Sequence, residues 1–209
     1  MKAHRTTVAL VALMLVFLSA CSEGPRSAAQ KKSEPVAPAE PVTGQSAFFK
    51  MYGMAHGWAP DVQALRMRSV PLTQVKSEGG KAGAWEATFV SQSRGRARTY
   101  TYSVVEAEGN LHKGIFAGLE ETYSGPRGQA KPFLAAAVKV DTDKAYETAL
   151  KKSAEYVKKN PNVPVTFLLE LTPRHPGPAW RVIWGTSVST SNYSILVDSA
   201  TGDYMETLR

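Results

Sequence analysis

Trp180-Arg181-Val182-Ile183-Trp184 is the stretch that decides the fold. It predicts a β-strand, running to about Ser187, in which the two tryptophans share one face because they lie four residues apart. The stretch Tyr193–Asp198 predicts the next strand. Thr201-Gly202-Asp203 then predicts a turn into a last short strand that ends near Thr207. These elements predict an antiparallel sheet at the end of the chain.

A helix is predicted before these strands. Thr142-Asp143 is suited to cap a helix that runs from about Lys144 to Lys159, where an apolar stripe recurs at helical spacing. Asn160-Pro161 ends it, because proline cannot continue a helix. Val165–Leu171 follows as a nearly continuous apolar strand. Residues 139–209 are therefore expected to pack one helix on an antiparallel sheet.

Residues 45–138 are predicted to contain a related set of elements. Ser46–Val70 is expected to be helical, with a break at Pro60 and a second helical piece beyond it that carries Val62, Leu65 and Arg66. Strands are expected at Trp85–Ser91, Thr99–Val105 and Leu111–Phe116. Turns are expected at Gly79-Gly80 and Gly109-Asn110, and a hairpin connection at Arg94–Arg98.

The order of helix, tryptophan strand, tyrosine strand, glycine turn and strand thus occurs twice. Ala84–Phe89 parallels Ala179–Trp184, and Tyr102–Val105 parallels Tyr193–Leu196. We interpret this as a duplication and predict an α+β fold with helices packed on antiparallel sheet in two related halves. Chance similarity between two amphipathic hairpins is the alternative.

The second half also resembles a PepSY-like domain over roughly residues 142–207. The resemblance is carried by Trp180-Arg181-Val182, then Tyr193–Asp198, then Ala200-Thr201-Gly202-Asp203. The first half departs from this pattern, since Glu106 replaces the expected Asp region and its turn lacks the Thr-Gly pair. The resemblance implies a small extracytoplasmic module, linked in that family to binding or to the restraint of secreted peptidases and not to catalysis.

The N-terminus has the features of a targeting segment. Lys2 and Arg5 precede the apolar run Val8–Leu18, which is too short to span a bilayer. Leu18-Ser19-Ala20-Cys21 resembles the lipobox of a bacterial lipoprotein. Residues 1–20 are thus predicted to be a signal peptide cleaved before Cys21. An ordinary secretory signal cleaved after Ala20 is the alternative.

The resemblance to bacterial lipoproteins implies a lipid on Cys21, the single cysteine of the chain. Diacylglycerol on the thiol, with a third acyl chain such as palmitate on the amine, anchors such proteins stably. Ser22 stands where Asp tends to retain lipoproteins at the inner membrane, so the resemblance implies the outer membrane, facing the periplasm, in a Gram-negative cell. Residues 21–44 are predicted to be the lipidated cysteine and a disordered linker, since residues 22–44 contain no aromatic residue, Leu or Ile.

The charge and the motifs limit the classes of function. Removal of residues 1–20 removes Lys2 and Arg5 and no acidic residue, so the formal charge falls from +7 to +5. This excess suits an anionic partner or a solvated surface. No nucleic-acid-binding motif, cofactor motif or metal-binding motif is present, so we expect no nucleic acid, cofactor or metal.

Nucleophile and metal-protease motifs are also missing from the sequence. The histidines of the mature chain, His56, His112 and His175, are isolated in sequence. A hydrolase assembled from one of them with Glu120 or Asp198 is the catalytic alternative. We expect no catalytic residues.

Two features are candidates for a functional surface. Arg94, Arg96 and Arg98 recur at period two, so on a ribbon they project to one side and could grip phosphate or carboxylate groups. Trp180 and Trp184 are expected to be core residues, with a sugar-stacking platform as the alternative.

The sequence therefore predicts a lipid-anchored cell-envelope protein that acts as a non-catalytic binding module. An envelope protein or polymer is the expected partner, besides the membrane that the lipid on Cys21 enters. A structural lipoprotein of an envelope or secretion assembly is the alternative, as is PepSY-like restraint of a secreted peptidase.

Overall fold

The computed structural model describes residues 39–109, 111–126 and 130–209. The predicted signal peptide, Cys21 and most of the predicted linker lie outside them. The helices are α1 (Gly44–Trp58) and α2 (Thr142–Lys159). The strands are β1 (Val42–Thr43), β2 (Gln63–Val70), β3 (Lys81–Ala82), β4 (Ala84–Ser91), β5 (Arg96–Ser103), β6 (Gly114–Thr122), β7 (Val165–Glu170), β8 (Ala179–Trp184), β9 (Ser194–Asp198) and β10 (Tyr204–Leu208).

Eight of these strands form a single antiparallel sheet in the order β10-β9-β8-β7-β2-β4-β5-β6. The short strands β1 and β3 pair separately. In each half, one helix precedes four sheet strands that succeed one another toward an outer edge. The halves meet where β2 pairs with β7, with Met67 opposite Leu169. The predicted α+β fold is confirmed, and the two predicted halves share one continuous sheet.

Both helices pack on the same face of this sheet, and two tryptophans form the centre of the core. Trp85 on β4 and Trp180 on β8 are both fully buried, with ring centroids 6.4 Å apart and their planes at 69°. Their indole Nε1 atoms donate to Val42 O at 3.1 Å and to Val140 O at 2.8 Å. Each tryptophan thus also fixes the backbone just before a helix, because a buried N–H requires a partner.

The beginnings of the two helices are bonded to each other. The amide of Gly44 donates to Thr142 Oγ1 at 2.7 Å, and that hydroxyl donates to Gly80 O at 2.6 Å. A Cβ on Gly44 would lie 2.6 Å from the Thr142 side chain and 2.9 Å from Trp180. Only glycine therefore fits at this junction without displacing its neighbours.

The prediction of a helical piece beyond Pro60 is wrong, because Gln63–Val70 is strand β2. Met67 and Ser69 are buried while Arg66 and Arg68 are exposed, which is the period of two expected of a strand. β2 pairs with β4 on one side and β7 on the other. Its two arginines face away from the helices, so buried and exposed residues alternate along β2 and form no helical stripe.

Several predicted boundaries also shift. Val42–Thr43 is a strand and Gly44 begins α1, so the folded part starts inside the predicted linker 21–44. The N-cap of α2 is Asp141, whose carboxylate accepts from the amide of Thr142.

The hairpins differ from their predicted limits as well. Arg96–Arg98 belongs to β5 and not to the hairpin connection, and the strand expected at Leu111–Phe116 begins at Gly114 and runs to Thr122. The tryptophan strand ends at Trp184, because Gly185 adopts φ 152. Within the described residues, neither helix is long and apolar enough to cross a membrane.

Asp61 supports the turn between β4 and β5 and gives a testable pH dependence. Its carboxylate accepts from Ser91 Oγ at 2.6 Å and from the amide of Ser93 at 3.0 Å. The Ser91 bond, followed by the Ser93 bond, lowers the pKa of Asp61 from 3.8 to about 2. A lowered folded-state pKa contributes stability above pH 3.8, and this contribution is lost as the pH falls through 2.

We therefore expect Asp61→Asn to be less stable than the parent at pH 5 and this difference to shrink toward pH 2. Chemical unfolding at several pH values measures it. The control is Asp203→Asn, the same charge change at an exposed turn residue. A stability difference for Asp61→Asn that is constant from pH 5 to pH 2 would contradict the role of its ionised form.

Candidate functional site

A groove of about 590 Å³ lies between the C-terminal half of α2 and the segment around Tyr193. We call it the α2 groove. Its lining includes the following residues of α2, of the segment before β9 and of the end of β10: Lys151, Lys152, Glu155, Tyr156, Lys159, Asn192, Tyr193 and Arg209. The space is large enough for a small organic anion or a headgroup, and it opens to solvent.

Two stacked tyrosines lie against this groove. The rings of Tyr156 and Tyr193 are nearly parallel, with centroids 4.0 Å apart and an interplanar angle of 6°. The ring of Trp184 meets the Tyr193 ring edge-on, with centroids 5.5 Å apart. Ser191 Oγ accepts from the amide of Tyr193 at 3.2 Å, which fixes the backbone there. The aromatic side of the groove is therefore held by packing and is in place before any ligand binds.

Four side-chain cations and one side-chain carboxylate line the groove beside the tyrosines. Lys151, Glu155 and Lys159 recur at i, i+4 and i+8, so helical geometry places them on one side of α2. Arg209 Cζ lies 6.0 Å from the centroid of the Tyr193 ring. Lys152 Nζ lies 5.1 Å from the centroid of the Tyr204 ring. The positive excess gives the groove the chemistry to bind a carboxylate or a phosphate.

A second, smaller pocket of about 100 Å³ lies on the helix-free face of the sheet. The Glu206 carboxylate accepts a hydrogen bond from Arg174 Nη2 at 2.8 Å, and its other oxygen lies 3.2 Å from His175 Nε2. Burial lowers the pKa of Arg181, while the charges of Glu170 and Glu206 raise it. The charged groups of this pocket interact with one another, so it serves to hold the loop before β8 against β10.

The three arginines predicted as an anion-binding set lie along the hairpin of β4 and β5. Arg94 Nη1 donates to Trp58 O at 2.8 Å, where α1 ends. Arg96 Nη1 donates to Thr122 Oγ1 at 3.3 Å, and Arg98 Nε to Gly118 O at 2.8 Å. Each guanidinium thus bonds to a different acceptor within the chain. Anion binding by this set stays a prediction.

The histidines are separated in the fold. His112 Nδ1 lies 2.6 Å from Glu106 Oε1, and His175 bonds to Glu206, while His56 is exposed on α1. Glu120 Oε1 accepts from Trp58 Nε1 at 2.7 Å. The carboxylate of Asp198 accepts from the amides of Ala200 and Thr201. Among the hydrogen bonds within the described part of the chain, none joins Glu120 or Asp198 to a histidine. In the described ranges, no group of three or more His, Cys, Asp or Glu is arranged to hold a metal ion.

The expected core position of Trp180 and Trp184 is confirmed, since they are 0% and 3% exposed. The sugar-stacking alternative is wrong, because a platform for a sugar needs exposed rings and both residues are buried.

The α2 groove was missed at the level of sequence. The sequence holds one signal for it, a tyrosine among lysines near the end of the predicted helix, namely Tyr156 with Lys151 and Lys159. That Tyr193 and Arg209 come to the same place depends on the sheet, and no local pattern shows it.

The comparisons with known proteins identify no family. No protein-family model matches the chain, and no curated protein matches it. Among solved structures, the chain is similar to the crystal structure of a "putative lipoprotein" from Clostridium difficile 630. The sequences are 11% identical, the TM-score is 0.48, and the match covers 77% of this chain and 91% of that chain. The resemblance of the second half to PepSY-like domains stays a prediction.

Proposed function

We propose that this protein is a lipid-anchored, non-catalytic binding module of the cell envelope, and that the α2 groove binds an anionic ligand there. The observation that carries the proposal is that Lys151, Lys152, Lys159 and Arg209 line one groove together with the stacked Tyr156 and Tyr193. The anchor rests on the lipobox-like sequence that ends in Cys21.

The groove suits an anion for two physical reasons. Among the lining side chains, the cations outnumber the carboxylates by four to one, so these side chains favour negative charge. Arg209 adds a planar guanidinium, which can donate two parallel hydrogen bonds to a carboxylate or a phosphate. The rigid aromatic side lowers the entropy that binding must offset, because its rings are already ordered.

Titration with glycerol 3-phosphate, followed by NMR, tests this function. We expect saturable shifts at Tyr156 and Tyr193, and none with glycerol, which lacks the phosphate. Lys159→Gln with Arg209→Gln should weaken binding by about fivefold to thirtyfold, since an exposed charged contact contributes about 0.5–1 kcal/mol.

The matched control is Lys113→Gln with Lys131→Gln, which removes the same charge from exposed sites outside the groove lining. It should leave the affinity within about twofold. Equal weakening by both pairs would show that net charge, and not the groove, attracts the phosphate. Unchanged spectra of the parent up to a large excess of glycerol 3-phosphate would refute the proposed site.

A further inference from the structure

We infer that the anionic ligand of the α2 groove is the headgroup of an anionic phospholipid, so that the anchored domain docks on a membrane surface through α2. This rests on the proposed function and names the partner of the same groove. The proposal concerns a lipid surface, with a soluble phosphate as the competing outcome of its test.

The charge of α2 beyond the groove supports a flat anionic surface as the partner. The last ten residues of the helix carry Lys151, Lys152, Lys158 and Lys159 against the single carboxylate of Glu155, and all five side chains are exposed. A small ligand inside the groove leaves Lys158 unused, since it is not among the lining residues. A surface of many headgroups engages it together with the others. Each cation near an anionic bilayer contributes about fivefold to partitioning.

The aromatic side of the groove also fits the headgroup layer. Tyr156 is half-buried and packs on Tyr193, so it offers a ring edge beside the lysines. Tyrosine is favoured at this depth of a membrane, because the ring is apolar and its hydroxyl stays hydrated. The combination of cations around a tyrosine is therefore suited to a phosphate diester that lies at an interface.

The tether is long enough for this docking. Twenty residues separate Cys21 from Val42, and a fully extended chain of this length spans at most about 70 Å. The two helices begin side by side, with Gly44 N and Thr142 Oγ1 at 2.7 Å. An 18-residue helix is about 27 Å long, so the basic end of α2 lies well within reach of a lipid held at Cys21.

Tethering also removes the need for high intrinsic affinity. Once Cys21 is held in a bilayer, docking of α2 is intramolecular, with an effective concentration that short flexible linkers place at about the millimolar level. A contact that is weak for the free domain can then be occupied most of the time. The docking is expected to weaken as salt rises, because exposed charges are screened over about 8 Å at physiological ionic strength.

Co-sedimentation with vesicles tests the inference. The protein is the chain from residue 21 onward with Cys21→Ser, so that no lipid anchor contributes. At low salt, we expect binding to vesicles of mixed phosphatidylglycerol and phosphatidylcholine, and little binding to vesicles of phosphatidylcholine alone. Lys151→Gln, Lys152→Gln and Lys159→Gln together should lower the partition coefficient by about tenfold to a hundredfold.

The matched control removes three charges elsewhere, with Lys76→Gln, Lys113→Gln and Lys131→Gln, and should lower it by less than about threefold. Equal losses in the two triple variants would overturn the inference, since total charge would then explain binding. Binding of glycerol 3-phosphate without binding of anionic vesicles would also overturn it and leave the proposed function intact. If neither probe binds, both proposals fail.

Discussion

Cys21→Ser is expected to abolish fatty-acid incorporation into this protein in cells and to leave the precursor with residues 1–20 uncleaved. The thiolate is a strong nucleophile that accepts diacylglycerol, whereas a serine hydroxyl is far weaker at neutral pH. Each buried methylene of the acyl chains contributes about 0.8 kcal/mol to anchoring, so loss of two chains removes stable membrane attachment by lipid. Labelling with an alkyne fatty acid and mass spectrometry of the N-terminus measure both effects.

The neighbouring change Ser22→Ala serves as the control and should keep both the label and the cleavage. Labelling of the Cys21→Ser protein would contradict lipidation at this residue. Normal cleavage after Ala20 in the same variant would support the ordinary secretory signal that the sequence left as an alternative.

Trp180→Ala is expected to lower the free energy of unfolding by about 3–5 kcal/mol, because it removes a fully buried indole from the centre of the core. The ring touches Trp85 edge-on and its N–H bonds to Val140 O at 2.8 Å. The change therefore leaves a cavity and an unpaired carbonyl just before α2. Urea unfolding followed by circular dichroism measures the loss, which is a large part of the stability of a typical domain.

Two companion variants separate packing from the hydrogen bond. Trp180→Phe keeps most of the ring and loses the N–H, so we expect a smaller cost of about 1–2 kcal/mol. Leu119→Ala changes a side chain that is 89% exposed and should alter stability by about 0.5 kcal/mol or less. A Trp180→Ala protein as stable as Leu119→Ala would contradict the central place of this indole.

The elements that could be predicted from sequence are those with a clear apolar run or a clear helical period. The strand from Val165 is bounded correctly to within one residue, and the helix to Lys159 is correct at its end, because apolar runs and helical stripes of that length have few alternatives. β2 could not be assigned in this way. Its buried Met67 and Ser69 fit a strand, but Pro60 and the preceding helix favoured a second helix, and only pairing with β4 and β7 decides between them.

The candidate site depends even more on tertiary structure. The three arginines at period two are visible in the sequence, but each donates a hydrogen bond to an acceptor within the chain, as Arg94 does to Trp58 O. The α2 groove combines Tyr156 with Tyr193 and Arg209, which are 37 and 53 residues further along the chain. Convergence over such distances follows from the sheet order, so a motif search does not detect it.

The antiparallel join of β2 and β7 has a consequence for the origin of this architecture. Met67 pairs with Leu169 at this join, and on each side of it four strands follow one another in chain order to an outer edge of the sheet. A single half that offers its β2 edge to a second copy of itself would rebuild the same eight-stranded arrangement. Duplication of the two halves stays a prediction, under which a symmetric homodimer that became one polypeptide would give this sheet. The residues that line the α2 groove all come from the second half, so the two halves differ at this surface.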